Sequence, residues 1–300
     1  AALAAPLHFY LVHRLVSGAY PNQFMGLLPA AFAIPSLAAL IFLLRKVPAT
    51  SPIKTAQLAW FGGIALFFIT LIFPIQFDRQ WITIGWALEG AALLWLFHRV
   101  PHPGLRLAGV ALLVISFVRL AANPAVLSYH ARSSTPILNW YLYSYGVVAI
   151  SLFLGAKLLT PPREKIFDRN VQPWLNGLGT ILLFLLLNIE IADYFSTGTS
   201  LTFQFSGNFA RDMSYTISWA LFAFALLLIG ILRKIPAARY AGIGLLSIVL
   251  LKLFFHDLAN LKQLYRIVAL ISVAVIAMLA SFIYQKFLNN SAPKNETPNS

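Results

Sequence analysis

The stretch WALEGAALLWLFHRVPHPGLRLAGVALLVISFVRL, residues 86–120, decides the fold. It holds two apolar runs joined by a short turn rich in His, Arg and Pro. An apolar run of about 18 to 25 residues is what a helix needs to cross a ~30 Å hydrocarbon core. The same stretch recurs without a gap 133 residues later, as WALFAFALLLIGILRKIPAARYAGIGLLSIVLLKL, residues 219–253. Fourteen of the 35 positions are identical, among them Trp86/Trp219, Pro103/Pro236, Arg106/Arg239 and Gly109/Gly242. Arg119 falls opposite Lys252, so a cation recurs deep in an otherwise apolar run.

Working outward, nine runs of this kind are legible: 27–44, 55–77, 81–97, 104–121, 139–159, 173–194, 213–232, 238–256 and 264–287. Residues 1–12 read as the tail of a tenth. A chain that is 59% hydrophobic and 10% charged, with a mean hydropathy of +0.77, has no polar helices with which to cover such runs in water. The fold class is therefore an all-α membrane protein of about nine transmembrane helices, and the lipid bilayer is its first partner. The start Ala1-Ala2-Leu3, with no Met and no basic region before the apolar run, predicts a piece of a longer chain rather than a signal peptide. With zero cysteines, disulfides and thiolate metal sites are excluded.

The net charge of +13 is a topology signal. Assigning alternate loops to two sides puts fourteen cations on one side, from Arg45, Lys46 and Lys54 through Arg99, Arg106, Lys157 and Arg163 to Lys286 and Lys294. Only Glu164, Asp168 and Glu296 oppose them there, whereas the other side holds eight cations and six acids. Positive-inside bias predicts that the first side, with the C-terminus, is cytoplasmic. No basic stretch is interleaved with aromatics as base stacking requires, so nucleic acid is not an expected partner.

The offset of the repeat spans an even number of helices, so both copies share one orientation. Trp60-x-x-Gly63 resembles Trp174-x-x-Gly177, and Leu142-Tyr143 resembles Leu264-Tyr265, which extends the repeat to four helices. The predicted organisation is 1–48 as the end of a preceding segment plus the first helix, 49–162 and 163–288 as two parallel four-helix repeats, and 289–300 as a disordered cytoplasmic tail. Gly109 and Gly242 are placed to let helices approach closely, as small residues do in membranes.

Polar residues inside the runs are the candidate site. Glu89 lies eight residues into its helix, about 12 Å deep at 1.5 Å per residue. A charge there costs about 2.5–3.5 kcal/mol, so it must face protein or water, be paired, or stay protonated. The second copy has Phe222 at this place, so the acid belongs to one half only. At the outer level Lys252 and His256 are one turn apart, Asp257 follows, and Arg266 returns to the same depth. Glu190 and Asp193 share a stripe at the outer end of 173–194, and Arg119 ends 104–121. These residues predict either a polar cavity open to the outer side or a set of snorkelling and interhelical ion pairs.

Other motifs are weak. His98 and His102 have a metal-like spacing, but Pro101 between them marks a loop, so no metal is expected. No phosphate-binding glycine loop, nucleophile elbow or His-Glu-x-x-His motif occurs, and no cofactor is expected.

Trp86-Ala-Leu-Glu89-Gly90, then Lys252-Leu-Phe-Phe-His-Asp257-Leu258 with Leu264-Tyr265-Arg266, then Tyr284-Gln285-Lys286, resemble the bacterial membrane family known as domain of unknown function 2339. The resemblance runs over about residues 55–288 and departs from the family pattern at Ala269-Leu270 and Ser272. It implies a bacterial inner-membrane location and a long polytopic protein, often behind an N-terminal coiled coil. This chain would then be the C-terminal portion, with the N-terminal portion as its partner. It implies no established activity.

Three functions are open at this level. A transporter-like module would hold substrate near Glu89 and anionic groups at Arg119 and Lys252. A scaffold of the cell envelope would use the charges only to lock helices. An enzyme on a lipid-linked envelope substrate would use Asp257 or Asp193 as a general base.

Overall fold

The computed structural model describes residues 4–20, 25–47, 54–77, 79–98, 101–129, 132–133, 135–198, 200–204, 207–257 and 263–289. Within these, the side chains of 4–6, 55, 79–80, 257, 263–266, 269 and 287–289 stand outside the description. Among the described residues ten α-helices follow one another: α1 Ala4–Ala19, α2 Leu27–Lys46, α3 Lys54–Gln76, α4 Arg79–Phe97, α5 Pro103–Ala122, α6 Trp140–Leu158, α7 Gln172–Phe195, α8 Phe209–Leu232, α9 Pro236–Lys252 and α10 Gln263–Asn289. The protein is an all-α membrane protein. Among the described residues seven helices are long and apolar enough to span a bilayer. The apolar parts of α4 and α10, Trp81–Phe97 and Leu270–Lys286, are shorter. The predicted tail, from residue 290 on, lies outside the described residues.

Local chemistry sets the helix starts. Pro103 and Pro236 occupy the first positions of α5 and α9, where a missing N–H costs nothing. Asn139 and Asn208 cap α6 and α8, their side-chain oxygens accepting from Leu142 N and Arg211 N at 3.0 and 3.2 Å. Two small departures from plain helix were not legible in the sequence. A two-residue β-hairpin pairs Lys165–Ile166 with Arg169–Asn170 between α6 and α7, turning through Phe167 and Asp168 at φ 49° and 59°. A π-turn, Leu253–Asp257, continues α9.

The chain divides into two compact units, Ala1–Leu201 and Thr202–Ser300. In the first, α4 to α7 share one apolar core around the fully buried Leu94, Leu113, Leu152 and Leu175. Two buried tyrosine hydroxyls there are satisfied: Tyr145 donates to Leu120 O and Tyr141 to Leu127 O, both at 3.0 Å. The helices α1 to α3 meet in a smaller aromatic cluster of Phe9, Phe32 and Phe68. The repeat boundary read from the sequence at 162/163 separates α6 from α7; here these two helices pack on each other inside the first unit.

Close helix crossings occur at the duplicated glycines. At Gly109 a Cβ would stand 2.9 Å from Gly90 O and 2.9 Å from Leu94 Cγ, so α5 lies directly on the α4 backbone. At Gly242, in the second unit, a Cβ would stand 2.8 Å from both Ala223 O and Leu227 N. Gly90 and Ala223, like Leu94 and Leu227, are 133 positions apart, so the α4–α5 and α8–α9 hairpins cross at corresponding residues.

Candidate functional site

In the first unit a cavity of about 500 Å³ lies among α2, α3, α4 and α5. Its walls are leucines with Phe67, and its space comes from Ala59, Gly62 and Gly63 on α3 and Ala108 and Ala111 on α5. A Cβ on Gly63 would meet nothing within 4 Å, and one on Gly62 would touch only Leu40 Cδ2 at 4.0 Å. Three polar side chains line it: Glu89, Thr70 and His102.

Glu89 is 8% exposed, and α4 points it at α3. Its Oε1 stands 2.5 Å from the Thr70 hydroxyl, while its Oε2 is buried with no hydrogen-bond partner. The Thr70 hydroxyl also reaches back to Leu66 O at 2.8 Å. A hydroxyl has one hydrogen, which serves one of these two acceptors. Both contacts become hydrogen bonds when Glu89 carries a proton of its own and donates it to Thr70. Eight residues separate Glu89 from the Phe97 end of α4, about 12 Å. His102 lies toward that end, capping α5 by accepting from Gly104 N at 3.1 Å. The neighbouring His98 is engaged with Leu158 O and with Arg163.

Glu190 and Asp193 are held differently. Arg132, which the sequence reading passed over as one of several loop cations, forms a salt bridge from Nε to Asp193 Oδ1 at 2.6 Å. Its other nitrogens donate to Asp193 O at 2.5 Å and Gly198 O at 2.6 Å, carbonyls at and beyond the last turn of α7. A cation at a helix C-terminus is favoured there by the unpaired carbonyls. Asn139 Nδ2 donates to Glu190 Oε2 at 2.9 Å and Asp193 Oδ2 at 3.3 Å, while its oxygen caps α6. Both Asp193 oxygens are thus taken, as befits a lock between the loop before α6 and the end of α7. An acceptor so engaged is poorly placed to abstract a proton from a substrate. Glu190 Oε1 has no hydrogen-bond partner.

Lys252 belongs to the second unit, where its Nζ donates to Thr216 Oγ1 at 2.6 Å and Asp212 O at 3.3 Å. Its sequence counterpart Arg119, in the first unit, lies over the Trp86 ring, 5.9 Å from the centroid. His256 is half-buried on the π-turn. The side chains of Asp257 and Arg266 lie outside the described residues. The described contacts bring Glu190 and Asp193 together on Asn139, and put Glu89 beside Thr70 and Lys252 beside Thr216. Thr70, Thr216, Arg132 and Asn139 are partners that the sequence reading missed. Their signal was available only as lone polar residues beside apolar runs, which depth alone does not pair. Among the described residues no three His, Cys, Asp or Glu side chains are grouped to hold a metal.

The family described as predicted membrane protein (DUF2339) matches residues 99–287, more than half of the chain. No curated protein and no solved structure matches. The match takes in α5 to α10 and starts beyond Glu89 and Thr70.

Proposed function

The chain belongs to the DUF2339 family of predicted membrane proteins, and from that premise we propose that it is a transporter-like module whose substrate site is the Glu89 cavity. We place it in the bacterial inner membrane with its C-terminus in the cytoplasm, following the excess of cations on one set of loops. The observation that carries the reading is Glu89 Oε2, a buried carboxyl oxygen without a partner at the wall of a roomy cavity. Leaving such an atom unpaired costs about 1–3 kcal/mol. Asp193, by contrast, has both carboxyl oxygens engaged. The Glu89 carboxyl keeps one oxygen unpaired beside a cavity whose volume of about 500 Å³ is in the range of small-molecule sites.

The chain has no cysteine, so single thiols can be placed without background. Ala108→Cys lines the cavity. In a transporter it reacts with a membrane-impermeant maleimide from either face of oriented vesicles, because the cavity opens in turn to both sides. Labelling confined to one face, or none, overturns the transport reading and leaves the scaffold supported by the Arg132–Asp193–Asn139 lock.

A further inference from the structure

The chemistry of the Glu89 cavity narrows what it can accept. Its single carboxyl is set in a wall that is apolar except for Thr70 beside it and His102 toward the α5 start. Among the described residues no Lys or Arg lines it. On α2, Arg45 and Lys46 lie beyond Leu44 in the last turn. On α3, Lys54 donates to Val47 O at 2.5 Å. On α5, Arg106 lies over Phe97 and Arg119 over Trp86. Of the three α6 tyrosines, Tyr141 and Tyr145 donate to backbone carbonyls of the chain segment 120–127, and Tyr143 is exposed. An anionic head group would find no cation among the described lining residues and would face a carboxyl. A ligand that only accepts hydrogen bonds would leave Glu89 Oε2 unpaired, so the occupant must bring a donor.

The cavity also opens sideways. Gly63 and Phe67 on α3 and Ala111 on α5 line it and are exposed, so its rim lies on the apolar flank of the helices. In a bilayer that flank faces hydrocarbon, which admits molecules already dissolved in the membrane.

We infer that the cavity takes a lipophilic organic amine, whose ammonium group replaces the proton carried by Glu89. This rests on the transport reading of the same site. In the empty cavity the carboxyl hydrogen bonds to Thr70. When the ammonium enters, that O–H bond breaks, the proton leaves to water, and the carboxylate so formed accepts from the ammonium N–H. One proton is released for each cation bound, and charge in the cavity is conserved. Such a charge-assisted bond is the stronger for its apolar surroundings.

The test uses three probes with the same apolar body: 1-adamantylamine as its hydrochloride, 1-adamantanecarboxylate and 1-adamantanemethanol. Each is titrated into the purified chain in weakly buffered micelles, with calorimetry for binding and an indicator dye for protons. The amine binds and releases one proton per site, and the carboxylate does not bind. Glu89→Gln weakens amine binding by at least about tenfold, or about 1.4 kcal/mol, and abolishes proton release. Ala108→Phe, which fills the cavity and leaves the carboxyl in place, also abolishes binding while retaining the wild-type unfolding transition. Carboxylate binding equal to that of the amine, binding unaffected by Glu89→Gln, uptake without proton release, or no amine binding at millimolar concentration would each overturn the inference. If it falls while Ala108→Cys still labels from both faces, transport stands with another cargo. If the amine binds but labelling is one-sided, the site stands and transport falls.

Discussion

Replacing Gly242 by Ala adds one methyl group at the tightest part of the α8–α9 crossing. The new carbon would stand 2.8 Å from Ala223 O, 2.8 Å from Leu227 N and 3.2 Å from Leu227 Cα, all backbone atoms. Ordinary contact begins near 3.4 Å, so the two helices must part by about 0.6 Å. Backbone cannot rotate aside as a side chain can, and a gap of that size forfeits about a quarter to a half of each contact along the seam. Overpacking of this kind costs about 1–3 kcal/mol, and Gly242→Ala should fall in the upper part of that range. Gly109→Ala meets one backbone atom, Gly90 O at 2.9 Å, and otherwise the movable Leu94 side chain. Its cost should fall in the lower part of the range. Gly244→Ala is the control: two residues along the same helix, a Cβ there meets nothing within 4 Å. It should be neutral or stabilise by up to about 1 kcal/mol through helix propensity. The assay is unfolding in mixed micelles with increasing dodecyl sulfate, followed by far-ultraviolet circular dichroism. The Gly109 and Gly242 effects should add, since each new methyl group meets atoms of its own helix pair, Gly90 and Leu94 for one and Ala223 and Leu227 for the other. If Gly242→Ala proves as stable as Gly244→Ala, the close crossing and the packing argument built on it are wrong.

Two further outcomes follow from the polar contacts. Asp193→Ala strands Arg132 beside a nearly fully buried site and should cost about 3 kcal/mol, whereas the Arg132→Ala/Asp193→Ala pair should lose clearly less than the two single effects combined; a strictly additive pair in the same unfolding assay would rule out the lock. Lys252→Met removes the ammonium bonds to Thr216 Oγ1 and Asp212 O and should cost about 1.5–3 kcal/mol; a substitution without effect on unfolding would show that these bonds do not hold the second unit together.

How much of this was legible varies from residue to residue. The hairpins at 86–120 and 219–253 could be read directly, because length, apolarity and the Pro at the second helix start act locally. Glu89 stood out because nothing else in its run is charged, yet Thr70 did not. A threonine in an apolar helix ordinarily bonds its own preceding turn, as Thr70 does with Leu66 O, and nothing in the sequence says which way it also faces. The i, i+3 spacing puts Glu190 and Asp193 on one stripe of one helix, and Asn139 bonds both. Their cation was sought at the same depth on other helices and lies instead in the loop before α6, where no periodicity fixes a residue's position. Grouping Lys252 with the acids at 190 and 193 used depth alone; its described partners are on α8.

The sequence by itself determined that this chain crosses a membrane many times, where most of its helices begin, and which loops carry the cations. It could do so because a helix in hydrocarbon satisfies its own backbone, so each span is written in its own residues. Only the tertiary structure decided which helix faces meet, and hence that Glu89 sits against Thr70 in the wall of a cavity rather than in a closed seam. Spans that are apolar on every side carry no amphipathic stripe to mark the inner face. Their association rests on van der Waals fit at small residues and on a few polar contacts, and those depend on where the neighbouring helices stand.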